Sequence, residues 1–442
     1  MTWPSTPGPT NYQHPFPNYQ LNDIHQAMDY NSAGQPVLRV ITAPGSGVGN
    51  AAVNSNAGID AFGRLRVSNP VTLFDTQNRY LDGGYFSSSV SGSGTYTYNQ
   101  NGSNFSMAVT NAANDEVIAQ SKTVQLYQPG KSLLVMNTFC MAALQDNLRQ
   151  RVGYFTTGNG VFFEADGEDL YFVIRSSVNG TVTEDRIAQT DWNQDPLDGS
   201  GGSGITLYPA TVQIFWCDIE WLGVGSVRCG FVINGIFYLA HVFNHANDDT
   251  NVYMTTASLN CRYEIKNTGA TAGASTMLQI CSTVISEGGY TPKPPLYYAD
   301  NGVNVANVAS SSSLYHLCTI RLNSAFIDSV VIPSQVDVLT TSVRYGQFQL
   351  IKNATVANTS YSNVSGSVVQ SSTAGDTITG GQVVYAGLFS SRAEVSISED
   401  VRNRLQLGRT VGNVSDTITL AVQYTQNNAD TLWKLAWTED SH

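Results

Sequence analysis

Apolar and polar residues alternate with period two along most of the chain beyond residue 60, the spacing of strands that turn one face to a core. Val212, Ile214 and Trp216 alternate with Gln213, Phe215 and Cys217, and both sets are largely apolar, which predicts a strand between two packed layers. The strongest local pattern spans residues 227–243, where two apolar runs flank Asn234-Gly235, the preferred pair for a two-residue type I′ turn. Such a turn sets Ile233 opposite Ile236, Phe231 opposite Tyr238, Cys229 opposite Ala240 and Val227 opposite Val242. On the other face it sets Arg228 opposite His241. The hairpin is expected at the centre of its sheet. Ala393, Val395 and Ile397, and later Ile418, Leu420, Val422 and Tyr424, mark half-buried antiparallel strands. A short helix fits residues 399–405, where Val401 and Leu405 are four apart, and no pattern predicts a helix longer than about ten residues. The expected fold class is all-β, built of antiparallel β-sandwich or jelly-roll domains.

The beginning of the chain reads differently. Six of the 15 prolines fall within the first 36 residues: Pro4, Pro7, Pro9, Pro15, Pro17 and Pro36. Proline fixes φ and lacks a backbone donor, so this segment is expected as an extended arm instead of part of a core, one that either stays disordered or docks on a partner. Within it Leu21, Ile24 and Met28 recur at helical spacing, with Asn22 or Asp23 near a helix start. Gly288-Gly289, Pro292, Pro294, Pro295 and a serine run from Ser310 to Ser313 mark a second break. The expected organisation is an arm over residues 1–56, a main β-sandwich over 57–290, a linker over 291–313 and a C-terminal β-sandwich over 314–442.

Composition narrows the partners. The 442 residues suffice for two or three domains, and 34 acidic against 22 basic residues give a net charge of −12. Charged residues make up 13% of the chain, where about 25% is usual. A nucleic-acid partner would need Lys and Arg to neutralise phosphates, and an anionic membrane surface would need the same, so neither is expected. Residues 1–38 hold no Lys, no Arg and no continuous apolar run, so no export signal is expected. Six cysteines (Cys140, Cys217, Cys229, Cys261, Cys281, Cys318) lack C-x-x-C spacing and are expected as buried thiols. No cofactor is expected.

Few residues suggest site chemistry. Asp191, Asn193 and Asp195 alternate like the opening of a calcium loop, but Pro196 stands where that loop needs glycine and Gly202 where it needs Glu. A loop of Asx turns is the simpler reading. His241 and His245 have H-x-x-x-H spacing, which joins two rings at a metal only on a helix, and His241 is expected on a strand. Asp218 and Glu220 are two apart on one strand beside Trp216 and Trp221, a carboxylate pair to weigh for glycoside hydrolysis. Gly45, Gly47 and Gly49, and the glycines from Gly199 to Gly204, do not stand between a strand and a helix, so neither group predicts a phosphate cradle. Trp192, Tyr290, Tyr297 and Tyr298 lie in polar stretches, where aromatic faces suit stacking on host glycans.

The run Asp60-Ala61-Phe62-Gly63-Arg64-Leu65-Arg66-Val67-Ser68, followed by Thr72-Leu73-Phe74-Asp75, resembles the opening signature of a family of virion structural proteins of tailed bacteriophages, notably cyanophages. Gln128-Pro129-Gly130-Lys131-Ser132, Arg151-Val152-Gly153-Tyr154-Phe155 and Asn159-Gly160-Val161-Phe162-Phe163-Glu164 fit the same pattern. So do Asp191-Trp192-Asn193, Trp221-Leu222-Gly223-Val224-Gly225, Phe243-Asn244-His245-Ala246-Asn247 and Ser286-Glu287-Gly288-Gly289-Tyr290. The resemblance covers roughly residues 57 to 290 well and the C-terminal part loosely, with the arm outside it. It implies a structural or tail-fibre-like particle component with no catalytic residue, assembled in the host cytoplasm among other virion proteins. An arm without a core of its own adds the expectation of a homo-oligomer, such as a trimer. The alternatives carried forward are a capsid-decorating protein and a polysaccharide-degrading tail enzyme.

Overall fold

Period two becomes pleated sheet wherever the alternating apolar set finds a second layer to cover it. The computed structural model describes residues 28–30, 36–38, 69–290, 294–341, 343–397 and 405–440. The chain divides into two compact units, Met1–Val67 and Ser68–His442. In the first, Met28–Tyr30 pairs antiparallel with Pro36–Leu38. Met28 therefore sits on a strand and not on the helical turn expected of it. The prolines at positions 4 to 17, Leu21, Ile24 and most of the arm lie outside the described residues, as do Gly45 to Gly49 and residues 399–404 of the expected helix.

The second unit is all-β. Its helical turns include two short 3₁₀ segments, Gln189–Asp191 and Ser324–Phe326. A seven-stranded sheet runs through Thr183–Ala188, Asp169–Ser176, Gly160–Asp166, Leu148–Phe155, Cys261–Asn267, Glu116–Ser121 and Phe86–Ser91. It faces an eight-stranded sheet through Ile236–Phe243, Val227–Ile233, Gln213–Ile219, Leu133–Cys140, Ser275–Ser286, Asn104–Val109 and Thr95–Asn99, with Val71–Thr76 also on Ser275–Ser286. Every pairing is antiparallel. The core between the sheets centres on Phe163, whose ring lies 5.1 Å from Phe231, 5.9 Å from Phe172 and 6.3 Å from Phe215. Such offset and edge-on rings add specific geometry to the burial of large apolar surfaces.

An eleven-stranded sheet with its own core follows, the strands Leu296–Asp300 and Ala306–Val308 both pairing with the final strand Ala429–Asp440. The span expected as a linker, 291–313, thus contributes two strands. The short stretches between its turn residues extend the sheet beyond the final strand. Val124, Leu126 and Val330 form a small buried cluster where the two cores meet. Nearby, Gln406 donates to the Val124 carbonyl at 2.9 Å and the Arg409 N–H to that of Lys122 at 2.8 Å.

The hairpin at 227–243 has the expected turn, with Asn234 and Gly235 at φ of 53° and 78°. Its register holds from Ile233↔Ile236 to Gly230↔Leu239 and then shifts. A bulge inserts Ala240, so Cys229 opposes His241, Arg228 opposes Val242 and Val227 opposes Phe243. Gly230 makes the bulge sterically feasible, because a Cβ there would lie 1.9 Å from the Tyr238 carbonyl oxygen. The hairpin is also at the sheet's edge and not at its centre, since Ile236–Phe243 is a terminal strand.

Candidate functional site

The paired carboxylates separate in the fold. Asp218 closes the strand Gln213–Ile219, and its Oδ2 accepts from Arg228 Nε at 2.9 Å across the sheet. It is 6% exposed, whereas Glu220 lies beyond the strand end and is exposed. The register of the two strands sets Arg228 directly opposite Asp218, and the bulge on its other side moves His241 opposite Cys229. One carboxylate held by a guanidinium and one on the surface do not flank a common space, as hydrolysis of a glycosidic bond requires.

The loop after Asp191 is built by its own polar groups. Asn193 bonds the edge strand twice, donating to the Val242 carbonyl at 2.8 Å and accepting the Val242 N–H at 2.9 Å. Buried Asp195 accepts the N–H groups of Leu197 and Ser203, at 2.9 and 2.8 Å, and so folds the glycine-rich residues 199–204 around itself. Gly201 is required there, since a Cβ would meet Asp195 Oδ1 at 2.1 Å. Asp191 is exposed on the 3₁₀ turn. Oxygens already accepting from the backbone are thus the loop's fasteners.

Of the four aromatics considered for glycan stacking, the fold offers one. Trp192 is 4% exposed, stacks on Phe172 at 4.1 Å and donates Nε1 to the Ile187 carbonyl at 3.2 Å. Its polar neighbours disguise a core anchor. Tyr290 packs against the cluster of Val124, Leu126 and Val330, and Tyr297 packs against the C-terminal core. Tyr298 is exposed, with Lys434 Nζ 4.5 Å from its ring centre.

The motifs that carry the family resemblance do architectural work. The Tyr154 hydroxyl donates to the Gln125 carbonyl at 2.9 Å and accepts the Leu259 N–H at 3.0 Å. Asn159 ties the loop at Thr255 to the sheet, donating to its hydroxyl at 2.7 Å and accepting its N–H at 3.0 Å. Trp221 donates to the Met254 carbonyl at 3.1 Å, and a Cβ on Gly225 would fall 1.8 Å from the Glu220 carbonyl oxygen. His245 bonds the Gly225 carbonyl through Nδ1 at 2.8 Å and stacks on Tyr253 at 3.9 Å.

One feature that sequence reasoning missed is a lattice of buried charge on the seven-stranded sheet's face opposite the core. Arg151 lies in register between Glu164 and Glu264 on the two adjoining strands. It is ion-paired with Glu164, with Glu184 at 3.3 Å and with Glu264 at 3.6 Å. Each carboxylate has a second cation: Arg186 at 2.5 Å from Glu164, Arg175 at 2.7 Å from Glu184 and Arg262 at 2.6 Å from Glu264. Burial alone would raise the Glu264 carboxyl, but Arg262, Arg151 and Arg175 bring it below the usual range; Arg151 and Arg175 do the same for Glu184. The guanidiniums lie over apolar rings, Arg151 at 5.1 Å from Phe162 and Arg175 at 5.4 Å from Phe155. The signal was present in the sequence as charges at alternate positions, at 149 and 151, 164 and 166, and 262, 264 and 266.

A groove of about 910 Å³ lies between the two cores, lined in part by Tyr127, Lys131, Trp221, Phe326 and Asp328. Its main charges are already engaged: Lys131 Nζ bonds Gln128 and the Gly289 carbonyl, both at 2.9 Å, and Asp328 pairs with Arg409 at 2.6 Å.

No family model matches the chain, and no curated protein does. Solved structures superpose on part of the chain at low identity. An endo-β-1,4-glucuronan lyase from Trichoderma reesei superposes with a TM-score of 0.33 at 11% identity, over 48% of this chain and 95% of that one. The CBM2 module of the evolved Dit of Lactobacillus casei BL23 phage J-1 gives 0.32 at 8% identity, over 51% and 100%. A carbohydrate esterase from the Shiga toxin-encoding bacteriophage phi24B gives 0.29 at 8% identity, over 50% and 100%.

Proposed function

We propose that the chain is a non-enzymatic structural component of a tailed-phage virion, placed at the fibre, collar or tail, docked through its N-terminal arm and contacting the host surface. The observation that carries this reading is the use made of the resemblance motifs. Tyr154, Asn159, Trp221, Gly225 and His245 hold loops to strands, so what these positions preserve is a scaffold. The low content of charge fits the same role, because Ser, Thr, Asn and Gln on strand faces cost less to desolvate than charged groups when subunits associate. Self-association, as a trimer, is part of the proposal.

Antibodies raised against the purified chain and applied to intact particles in the electron microscope test the placement. Labelling at the tail, neck or collar is expected. Uniform labelling of the shell would favour a decorating role, and labelling only of disrupted particles, or none, would overturn the proposal. Light scattering of the purified chain checks the trimer.

A further inference from the structure

A second cleft, of about 470 Å³, opens on one side of the sandwich. It lies where the terminal strand of each sheet comes to the edge, Ile236–Phe243 from one and Thr183–Ala188 from the other. The turn at residues 244–249 closes its end. His241 and His245 are its distinguishing groups. Both are more than nine-tenths buried, at 6% and 8% exposure, and both line the cleft.

The backbone fixes their tautomers in opposite senses. The Asn193 N–H can only donate, and it does so to His241 Nδ1 at 3.2 Å, leaving the proton of the neutral ring on Nε2. The Gly225 carbonyl can only accept, so in the neutral form of His245 the proton is on Nδ1 and the lone pair on Nε2. Among the described residues neither Nε2 has a hydrogen-bond partner, and neither is among the polar atoms sealed from solvent. Each ring is clamped: Phe243 meets His241 edge-on at 4.5 Å, and Tyr253 lies flat on His245. The cleft is therefore furnished with one fixed donor and one fixed acceptor.

Asp185, Asp248 and Asp249 stand around them, exposed and without an ion-pair partner among the described residues. The N–H groups of Asp248 and Asp249 both bond the His245 carbonyl, at 3.1 and 2.8 Å, which places these carboxylates on one tight turn beside its ring. No Lys or Arg lines the cleft. Among the described residues no three of the His, Cys, Asp and Glu side chains approach closely enough to share a metal ion.

Acceptors thus outnumber donors, and the unpaired charge is negative. A ligand that matches carries several hydroxyl donors on adjacent carbons and no negative charge of its own. A uronate or a sulfated sugar would meet three carboxylates with no cation to offset them. The volume lies within the ~300–1,000 Å³ of ordinary small-molecule sites. We propose that this cleft binds a neutral hexose unit of a polysaccharide. The proposal deepens the contact with the host surface and rests on that reading only for the source of the sugar.

The full-length chain is titrated with oligosaccharides of glucose, galactose and mannose, and in parallel with oligogalacturonate, by calorimetry and by NMR of the imidazole nitrogens. At least one neutral series is expected to bind, to shift the Nε2 resonances of His241 and His245, and to bind about tenfold more tightly than the uronate. Asp248→Asn combined with Asp249→Asn, both on the surface, is expected to weaken binding about tenfold with an unchanged melting curve. Failure of every neutral series to bind, preference for the uronate, or binding that ignores the double variant and leaves both imidazoles unshifted would overturn the assignment. Sugar binding by a chain absent from the particle would leave the cleft standing and remove the virion reading; the reverse pair of results would do the opposite.

Discussion

Arg151→Met removes the cation that buried Glu164 and Glu264 share with solvent-accessible Glu184, while keeping a side chain of similar length over Phe162. Arg151 is 6% exposed, Glu164 0% and Glu264 7%, so water cannot replace the lost partner. Each carboxylate keeps its second arginine, at 2.5 to 2.7 Å. The cost should therefore sit at the lower end of the range for breaking a buried pair, about 3 kcal/mol at neutral pH. The sign of its pH dependence follows from the carboxyls. In the native protein those of Glu264 and Glu184 are depressed below the ordinary 4.5, so they contribute stability that is present above that value and lost as the pH falls through their folded values. Without Arg151, burial is less opposed and both move upward, which erases part of that contribution at neutral pH. As the pH falls below 4.5 through the folded values, wild type loses it as well, and the two proteins converge. Urea unfolding followed by near-ultraviolet circular dichroism, at about pH 7.5 and about pH 3, measures the difference. An equal deficit at both pH values, or no deficit at about pH 7.5, would refute the idea of a buried lattice and leave an ordinary screened surface pair.

Three further outcomes are expected. Gly230→Ala would press a Cβ to 1.9 Å from the Tyr238 carbonyl oxygen and 3.0 Å from the Trp216 ring, so a loss of about 2–3 kcal/mol is expected in thermal melts, and an unchanged melt would count against the bulge. Burial lowers both His241 and His316 from 6.5 to about 4, so each contributes stability present above 6.5 and lost as the pH falls through 4. Each should add up to about 1.4 kcal/mol per pH unit to the slope in that window, and His316→Gln should flatten it; an unaltered slope would show that His316 titrates normally. Cys217, Cys229, Cys261 and Cys318 are fully buried, and burial pushes their thiols up, Cys318 to about 12. A thiol reagent should therefore reach at most Cys140 and Cys281 in the native chain and all six after denaturation.

The readable parts of the fold were those decided by neighbours in sequence. Asn234-Gly235 has one good solution, and the pairs nearest the turn follow from it. The bulge at Ala240 leaves no local trace, because an extra residue in an apolar run looks like any other residue of that run; only the carbonyl of Tyr238 pressing on Gly230 explains it. Trp192 was misplaced because Asp191 and Asn193 beside it fasten a loop, and polar fasteners resemble polar surface. His241 lies on a strand, and His245 just beyond its end. The space between them and Asp185 was invisible, since it depends on two sheet edges meeting more than fifty residues apart in the chain. The charge lattice was legible in principle, because charges at alternate positions of otherwise apolar strands must share one face.

Two of the three large sheets of the second unit, the eight- and the eleven-stranded, receive and release the chain at the same end. Val71 begins its strand opposite Ser286, where the partner strand stops, and Leu296 begins opposite Thr438, two residues before the final strand ends. Tension along the chain therefore meets these ladders as zippers, breaking one pair of bonds at a time, and not as sheared sheets in which all bonds bear the load together. In the C-terminal sheet the first strand to yield is Leu296–Asp300, an edge strand that pairs only with the final strand. A pull would peel this strand and lengthen the chain before disturbing the core beneath it, so it would serve as a compliant joint under drag.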